Sequence, residues 1–303
     1  MSNAIDLVIP YVTNSDPEWK KIFNEYNRKE NGTKVDVESN GNRRFSADDI
    51  LFKYVIRGIA KNIPFINKLH LLVMQDSQVP KWINRDNVHI VYHKDFIPSE
   101  YLPLFNSSAI EMFLKNIPDL SEHFIYTNDD FWFNQPLKES DFFTANGTPL
   151  TEWYVNKVKT DSQQPTWYYT FLNADRVISK DYKSTVYYQP SHRPASFKKS
   201  ILEEVYNKYE KEIKDSITRF RKNNNINQYI YTDYMIRNNL CCKKSIKYSM
   251  YNSQTHIQRI IRFFTESTVP IMVWNSTDEN DEKVNNDLML HLMIRFPKCK
   301  YEN

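Results

Sequence analysis

Glycine is scarce in this chain, four residues in 303, and the scarcity excludes two common ways of holding a nucleotide. A Walker-type phosphate loop and a G-x-G-x-x-G dinucleotide fingerprint both need closely spaced glycines, which let backbone N–H groups approach a phosphate. Neither is present, so a nucleotide bound here is held by side chains, loops or a metal. Cysteine is equally rare. Cys241 and Cys242 are adjacent and Cys299 is distant, which gives neither a zinc-ligand spacing nor a paired disulfide framework. That usage fits a reducing cytoplasm. No stretch approaches the roughly 18 apolar residues of a transmembrane helix. No charged-then-apolar segment precedes Ile5, so neither a membrane span nor a signal peptide is expected. On that expectation the four N-x-S/T sequons, at Asn31, Asn106, Asn146 and Asn275, carry no glycan. Clustered basic residues are missing too. The formal net charge is +3, and even the most basic stretch, 208–222, contains Glu210, Glu212 and Asp215. A dedicated nucleic-acid binder would cluster its basic residues, so no nucleic-acid partner is expected.

Aromatic residues, by contrast, are abundant: 20 Tyr and 18 Phe bring the aromatic share, Trp included, to 15%. A large aromatic core accounts for them, and a sugar-binding cleft lined by exposed rings is compatible with them. Hydropathy then orders the first half. Residues 5–12 read as a buried strand, apolar apart from Asp6, ending before the turn-rich 13–17. Residues 31–47 are polar and read as a loop. Helical periodicity follows over 48–62, with Leu51, Tyr54, Val55 and Ile59 on one face. Strands are expected at 68–74, 88–92 and 123–127. Ser108 and Glu111 have the S-x-x-E spacing of a capping box, which predicts a helix from Ser108 to just before Pro118. This alternation predicts an α/β, Rossmann-like open sheet with helices on both faces, whose ligands sit at the carboxyl ends of the strands. Beyond residue 150 the pattern predicts a helical lobe that closes a cleft. Its helices are expected at 195–214, 227–240 and 281–295, with an irregular 150–194 and a short strand in 269–274.

Chemistry concentrates in a few places. Asn128-Asp129-Asp130 follows an apolar strand directly and precedes Phe131-Trp132-Phe133. Two carboxylates in apolar surroundings are costly unless a divalent cation, with diphosphate oxygens as further ligands, offsets the cost. An Asp-rich turn that caps the next element is the plainer alternative. His192 precedes Arg193-Pro194 and a predicted helix, as a loop base or as a structural residue. Arg219 and Arg221 flank Phe220, with forks suited to a phosphoryl group or to surface ion pairs. Asp6 and Asp16 are strand-end residues that suit metal or ribose, or simply turns.

Taken in order, these segments resemble the Stealth family of capsular polysaccharide phosphotransferases, to which the animal N-acetylglucosamine-1-phosphotransferase also belongs. The first block runs from Ile5-Asp6-Leu7 through Asn14 and Asp16 to Pro17. The second includes Arg44-Phe45, Asp48-Asp49, Asp76, Trp82, Asn106 and Glu111, and ends at Tyr126-Thr127-Asn128-Asp129-Asp130. The third pairs His192-Arg193-Pro194 with Thr218-Arg219-Phe220-Arg221. A weaker fourth holds Asn275, Phe296-Pro297 and Tyr301-Glu302. Ser15 and Ser77 stand where the family usually has Gly, and Ser276 where it has Asp. The resemblance implies a GT-A-like sheet, with residues 1–150 binding a nucleotide-sugar and residues 151–303 completing the site. It implies Mg²⁺ or Mn²⁺, a UDP-sugar donor, an oligosaccharide, polysaccharide or lipid-linked glycan acceptor, and transfer of hexose-1-phosphate with release of UMP. Asp130, His192 and Arg221 match its active-site residues, Asp129 and Asp130 the metal ligands. Asp6, Asn14, Asp16, Arg44, Asp76, Asn106 and Arg219 fall in the donor-binding blocks. The implied setting is cytoplasmic, peripheral at the inner face of the membrane.

Overall fold

The computed structural model describes residues 4–13, 16–32, 49–157, 166–182, 186–252, 255–275 and 286–303. In chain order the first half holds β1 (Ile5–Pro10), α1 (Pro17–Asn31), α2 (Asp49–Asn62), β2 (Leu69–Val73), β3 (Val88–Tyr92), α3 (His93–Phe96), α4 (Ser107–Glu111), β4 (His123–Tyr126) and β5 (Phe131–Phe133). β6 (Leu150–Thr151), β7 (Trp153–Lys157), α5 (Thr166–Ile178), β8 (Val186–Pro190), β9 (Ala195–Lys198), α6 (Lys199–Lys208), α7 (Glu210–Ser216) and α8 (Tyr229–Arg237) follow. The chain closes with β10 (Cys242–Lys243), β11 (Tyr248–Asn252), α9 (Ile257–Glu266), β12 (Ile271–Asn275) and α10 (Asn286–Arg295).

The main sheet has the order β3-β2-β1-β4-β9. Its first four strands run parallel, and β9 closes the edge antiparallel to β4. Leu7 and Ile9 of β1 enter one apolar core, Val8 the other, as the two-residue period of a strand requires. The first core takes in α2, β5, α9, α10 and Phe296. The second takes in α4, α6 and α8. Helices therefore cover both faces, as expected for a parallel sheet whose strands read as continuous apolar runs. Gly58 permits one of these contacts: a Cβ there would meet the Phe133 carbonyl at 3.0 Å. No described helix is long and apolar enough to cross a membrane.

Several expectations need correction. The helix expected over 195–214 is a strand and two helices. β9 is paired to β4 before α6 begins, so His192 precedes a strand, not a helix. Within 150–194, expected to be irregular, β7 and β8 form an antiparallel ladder and α5 packs against α8. The capping box at Ser108 does not form. Asn106 is the cap, accepting from the Ser108 N–H at 3.1 Å, and the helix stops at Glu111. The predicted loop over 33–47 lies outside the described residues. The halves divided at residue 150 share one sheet and one core, because β9 and α10 return to the first half.

Candidate active site

In the main sheet the strand order reverses at β1, with β2 on one side and β4 on the other. Connections leave in opposite directions there, and a crevice opens at the carboxyl ends of these two strands. Two loops define it: the segment running to Asp16 after β1, and Asn128-Asp129-Asp130 after β4.

The second loop is pinned at both ends. The Thr127 N–H donates to the Val8 carbonyl at 3.0 Å, and the Trp274 N–H donates to the Asp130 carbonyl at 3.0 Å. The turn thus passes from the main sheet into a second one, where β5 pairs with β12. Within it, Oδ1 of Asp130 is buried and has no hydrogen-bond partner among the described residues, and the Thr127 hydroxyl is in the same state. An unpaired buried carboxylate oxygen carries a desolvation penalty of about 1–3 kcal/mol or more, which a ligand bound there removes. Asp129 lies close enough to Tyr126 to raise its phenol. Burial and Glu111 raise it further, well above the ordinary tyrosine value.

Glu111 ties the acidic turn to the arginine segment. It accepts from the Tyr126 hydroxyl and the Gln228 N–H, both at 3.0 Å. One turn earlier on the same helix, the Ser107 hydroxyl accepts from Arg221 Nη2 at 2.5 Å. Asn106 donates to the Thr218 carbonyl and to Asn225 Oδ1, both at 3.0 Å, and Asn225 in turn grips Ser216. Phe220 is buried against Phe105, with ring centroids 5.3 Å apart. α4 thereby supplies the partners of both Arg221 and Tyr126.

His192 arrives from the other side, between β8 and β9. Its ring lies 5.0 Å from that of Phe131, the residue after Asp130. Its backbone is hydrogen-bonded to the Tyr248 hydroxyl. His192 thus lies beside the residue that follows Asp130, while Arg221 is held by α4, the helix whose Glu111 accepts from Tyr126 at the end of β4.

The remaining candidates divide. Asp16 caps α1 by accepting from the Glu18 N–H at 2.9 Å. It also accepts from Ser77 at 2.7 Å and Gln78 at 2.8 Å. Burial pushes its carboxyl up, but these donors outweigh burial and hold it below the usual range. With Asp76, Ser77, Gln78, Trp82 and Arg85, Asp16 lines a cavity of about 890 Å³ at the carboxyl ends of β1 and β2. Asp76 pairs with Arg85 at 2.7 Å on its exposed rim.

Three candidates are turned to the scaffold. Asp6 is fully buried in β1, opposite Phe124. It accepts from Asn67 at 2.9 Å and the Ser121 N–H at 2.9 Å, and contacts His70 at 3.0 Å. Burial alone would raise its carboxyl; these partners hold it at about 2. Asn106 is the cap described above. Arg219 points away from Arg221, donating to the Pro103 carbonyl and Glu30 and stacking 4.5 Å over Tyr26. The structure therefore brings none of these three side chains to the ligand side. Asn14 and Arg44, also donor-binding candidates, lie outside the described residues, as does the Asn275 side chain.

Sequence reasoning missed Glu111 as a link, taking it for a capping residue. It also missed Arg193. This buried arginine donates to the Leu150 carbonyl at 2.9 Å, while its Nε and Nη1 have no partner. Burial lowers its pKa to about 10. Its place in the His192-Arg193-Pro194 triplet was the available signal.

A divalent cation fits one aspect of this donor set. Among the described residues no group of three or more His, Cys, Asp or Glu side chains forms a cation cage. Asp130 nevertheless offers an unpaired buried oxygen with Asp129 beside it. That suits an ion taking most of its ligands from a phosphorylated substrate.

Residues 44–151, which span β2 through β5, match Stealth protein CR2, conserved region 2. The chain is 32% identical over 231 residues to the capsular polysaccharide phosphotransferase LcbA of Aeromonas hydrophila. The match covers 74% of this chain and 62% of the relative. It is 32% identical to capsular polysaccharide phosphotransferase fcs1 of Haemophilus influenzae, with the same coverage. Exopolysaccharide phosphotransferase cps2G of Lactiplantibacillus plantarum is 29% identical, covering 77% of this chain and 75% of the relative. The chain thus spans less than two thirds of the first of these relatives. The crystal structure of the galactosyltransferase LgtC with donor and acceptor sugar analogs aligns over 97% of both chains. At 9% identity and a TM-score of 0.43, that likeness is too loose to bear on function.

Proposed function

We propose, on the match of residues 44–151 to Stealth conserved region 2 and on the relatives above, that the crevice transfers a hexose-1-phosphate or N-acetylhexosamine-1-phosphate unit. The donor is a UDP-sugar, the acceptor a glycan hydroxyl, the by-product UMP, and the setting capsule or other cell-surface polysaccharide synthesis. One observation supports the reading most directly: the buried Asp130 oxygen at the sheet's switch point, which has no hydrogen-bond partner among the described residues. In this reading the protein works in the cytoplasm, peripherally at the inner face of the membrane.

Attack of an acceptor hydroxyl on the sugar-proximal phosphorus spreads negative charge over the phosphoryl oxygens and the leaving UMP. Positioned cations therefore dominate the catalysis. Asp130 and Asp129 hold Mg²⁺ or Mn²⁺, which when bound neutralises diphosphate charge. Arg221 is kept in place by Ser107 and presents a permanently charged fork to the phosphoryl oxygens. His192 is the general base: a neutral imidazole near pH 7 accepts the hydroxyl proton as the new O–P bond forms. The cavity beside Asp16 takes the nucleoside, with the Trp82 ring and the Gln78 amide on its wall.

A by-product assay tests this reading. Purified protein, a panel of UDP-sugars, Mg²⁺ or Mn²⁺ and a short glycan should release UMP. That release should need the metal and fall by about 10²–10⁴ in His192→Ala. UDP in place of UMP would make the protein a glycosyltransferase and sink phosphotransfer.

A further inference from the structure

We infer that the β7–β8 ladder is the acceptor-sugar subsite, a platform on which one pyranose ring of the glycan stacks on Tyr154 and is hydrogen-bonded by Gln189 and Asn156. The identity of the ligand rests on the phosphotransfer reading; the platform itself rests on geometry. In the β7–β8 ladder Tyr154 stands opposite Gln189, and Asn156 is the next residue on the same face. Tyr154 is 50% exposed, unusual for so large an apolar ring. Asn156 Nδ2 donates to Gln189 Oε1 at 3.0 Å, which orients both amides. On this inference the Gln189 N–H groups and the Asn156 carbonyl are the donor and the acceptor offered beside the ring.

That combination suits one class of ligand. A pyranose presents an apolar C–H face to an aromatic ring and a rim of hydroxyls that both donate and accept. A phosphate would call for cations, and a lipid chain would leave the amides unused.

The platform is also joined to the chemistry. β8 ends at Pro190, two residues before His192, and the Ser191 N–H continues the pairing by donating to the Glu152 carbonyl at 2.9 Å. Tyr248 stands between the two: its hydroxyl is hydrogen-bonded to the His192 backbone, and Tyr154 is close enough to act on it electrostatically. A sugar on Tyr154 therefore lies beside the base, with one of its hydroxyls, or that of the adjoining residue, directed toward His192.

Saturation-transfer NMR with methyl glucoside, methyl galactoside and methyl N-acetylglucosaminide tests the platform without any turnover. At least one pyranoside should show contacts in the wild type, lose them in Tyr154→Ala and keep them in Tyr154→Phe. With that pyranoside as acceptor, Tyr154→Ala and Gln189→Ala should each raise the acceptor KM by about threefold to tenfold, the worth of one stacking or hydrogen-bonding contact. The donor KM should stay at the wild-type value. Unchanged contacts and acceptor KM in Tyr154→Ala, or equal rises in both KM values, would overturn the assignment. Wild-type UMP release without pyranoside contacts would remove the subsite and leave the reaction standing. Pyranoside contacts with UDP release would do the reverse.

Discussion

Asp130 is a carboxyl side chain with one oxygen buried and without a hydrogen-bond partner among the described residues. Such a group strains the fold and is retained for what it binds. Asp130→Asn is therefore expected to lower UMP release by about 10² or more. Its thermal midpoint should be unchanged or raised, because a desolvated charge has been removed. Parallel by-product assays and melting curves check both halves, and an active Asp130→Asn enzyme would remove Asp130 from the mechanism. Asp6 is the contrasting case. Its carboxylate is also buried, but three neighbours satisfy it and hold it at about 2. In sequence the two residues look alike, each an aspartate in or beside an apolar strand. Asn67, His70 and Ser121, which distinguish them, lie 61 to 115 positions from Asp6.

Among the elements, the short α4 holds the site together. Its cap, Asn106, serves both the helix and the Arg221 segment. Asn106→Ala is expected to destabilise the protein by about 1–2 kcal/mol, the usual loss for an N-cap. It should also lower kcat more than either KM, since Arg221 loses its fixed approach. A variant with normal kcat would show that Arg221 does not depend on this helix. α8 shows a different device. Arg237 bridges Asp233 at 2.9 Å and Asp175 at 2.6 Å, with its own side chain only 4% exposed. Burial lifts Asp233 to about 7 and outweighs the pull of Arg237. Arg237→Ala leaves two buried carboxylates without their cation, and urea unfolding should show a loss of about 3–5 kcal/mol.

For the molecule as a whole, one source of acid sensitivity lies near the amino-terminal ends of β1, β2 and β3. His70 Nε2 contacts Asp6, and His70 Nδ1 contacts His89 Nδ1 at 2.9 Å, so one of those two nitrogens must be unprotonated to accept. Burial, then the neighbouring His70 and Lys68, lower the His89 pKa below its ordinary 6.5. The unfolded chain therefore binds the proton first, and stability falls as pH drops from 6.5 toward the folded value. His89→Gln should be less sensitive over that window. Thermal midpoints of both proteins between pH 7 and pH 5 test this, and parallel curves would rule the pair out. Asp233 acts in the opposite sense, because its raised pKa makes stability fall as pH rises between 3.8 and about 7. The comparison with His89→Gln cancels that contribution.

What the sequence determined by itself was whatever depends on near neighbours. β1 to β4, α2 and β12 were legible because their apolar runs and helical spacing lie within a few residues. Asp129 and Asp130 were legible because two carboxylates directly after an apolar strand are locally costly. Tertiary structure decided everything defined by a distant partner. β9 looked helical because Phe197, Ile201, Val205 and Tyr209 fall four apart, yet its first four residues are held by β4, about 70 positions earlier. The β7–β8 ladder joins strands about 30 residues apart, and no local period announces it. Spacing alone gave the two arginines around Phe220 the same options, a phosphoryl group or ion pairs. The structure sets Arg221 against Ser107, and Arg219 against Glu30 and the Pro103 carbonyl. Backbone periodicity is fixed by the residues that carry it, whereas a side chain's role is fixed by what long-range packing sets against it.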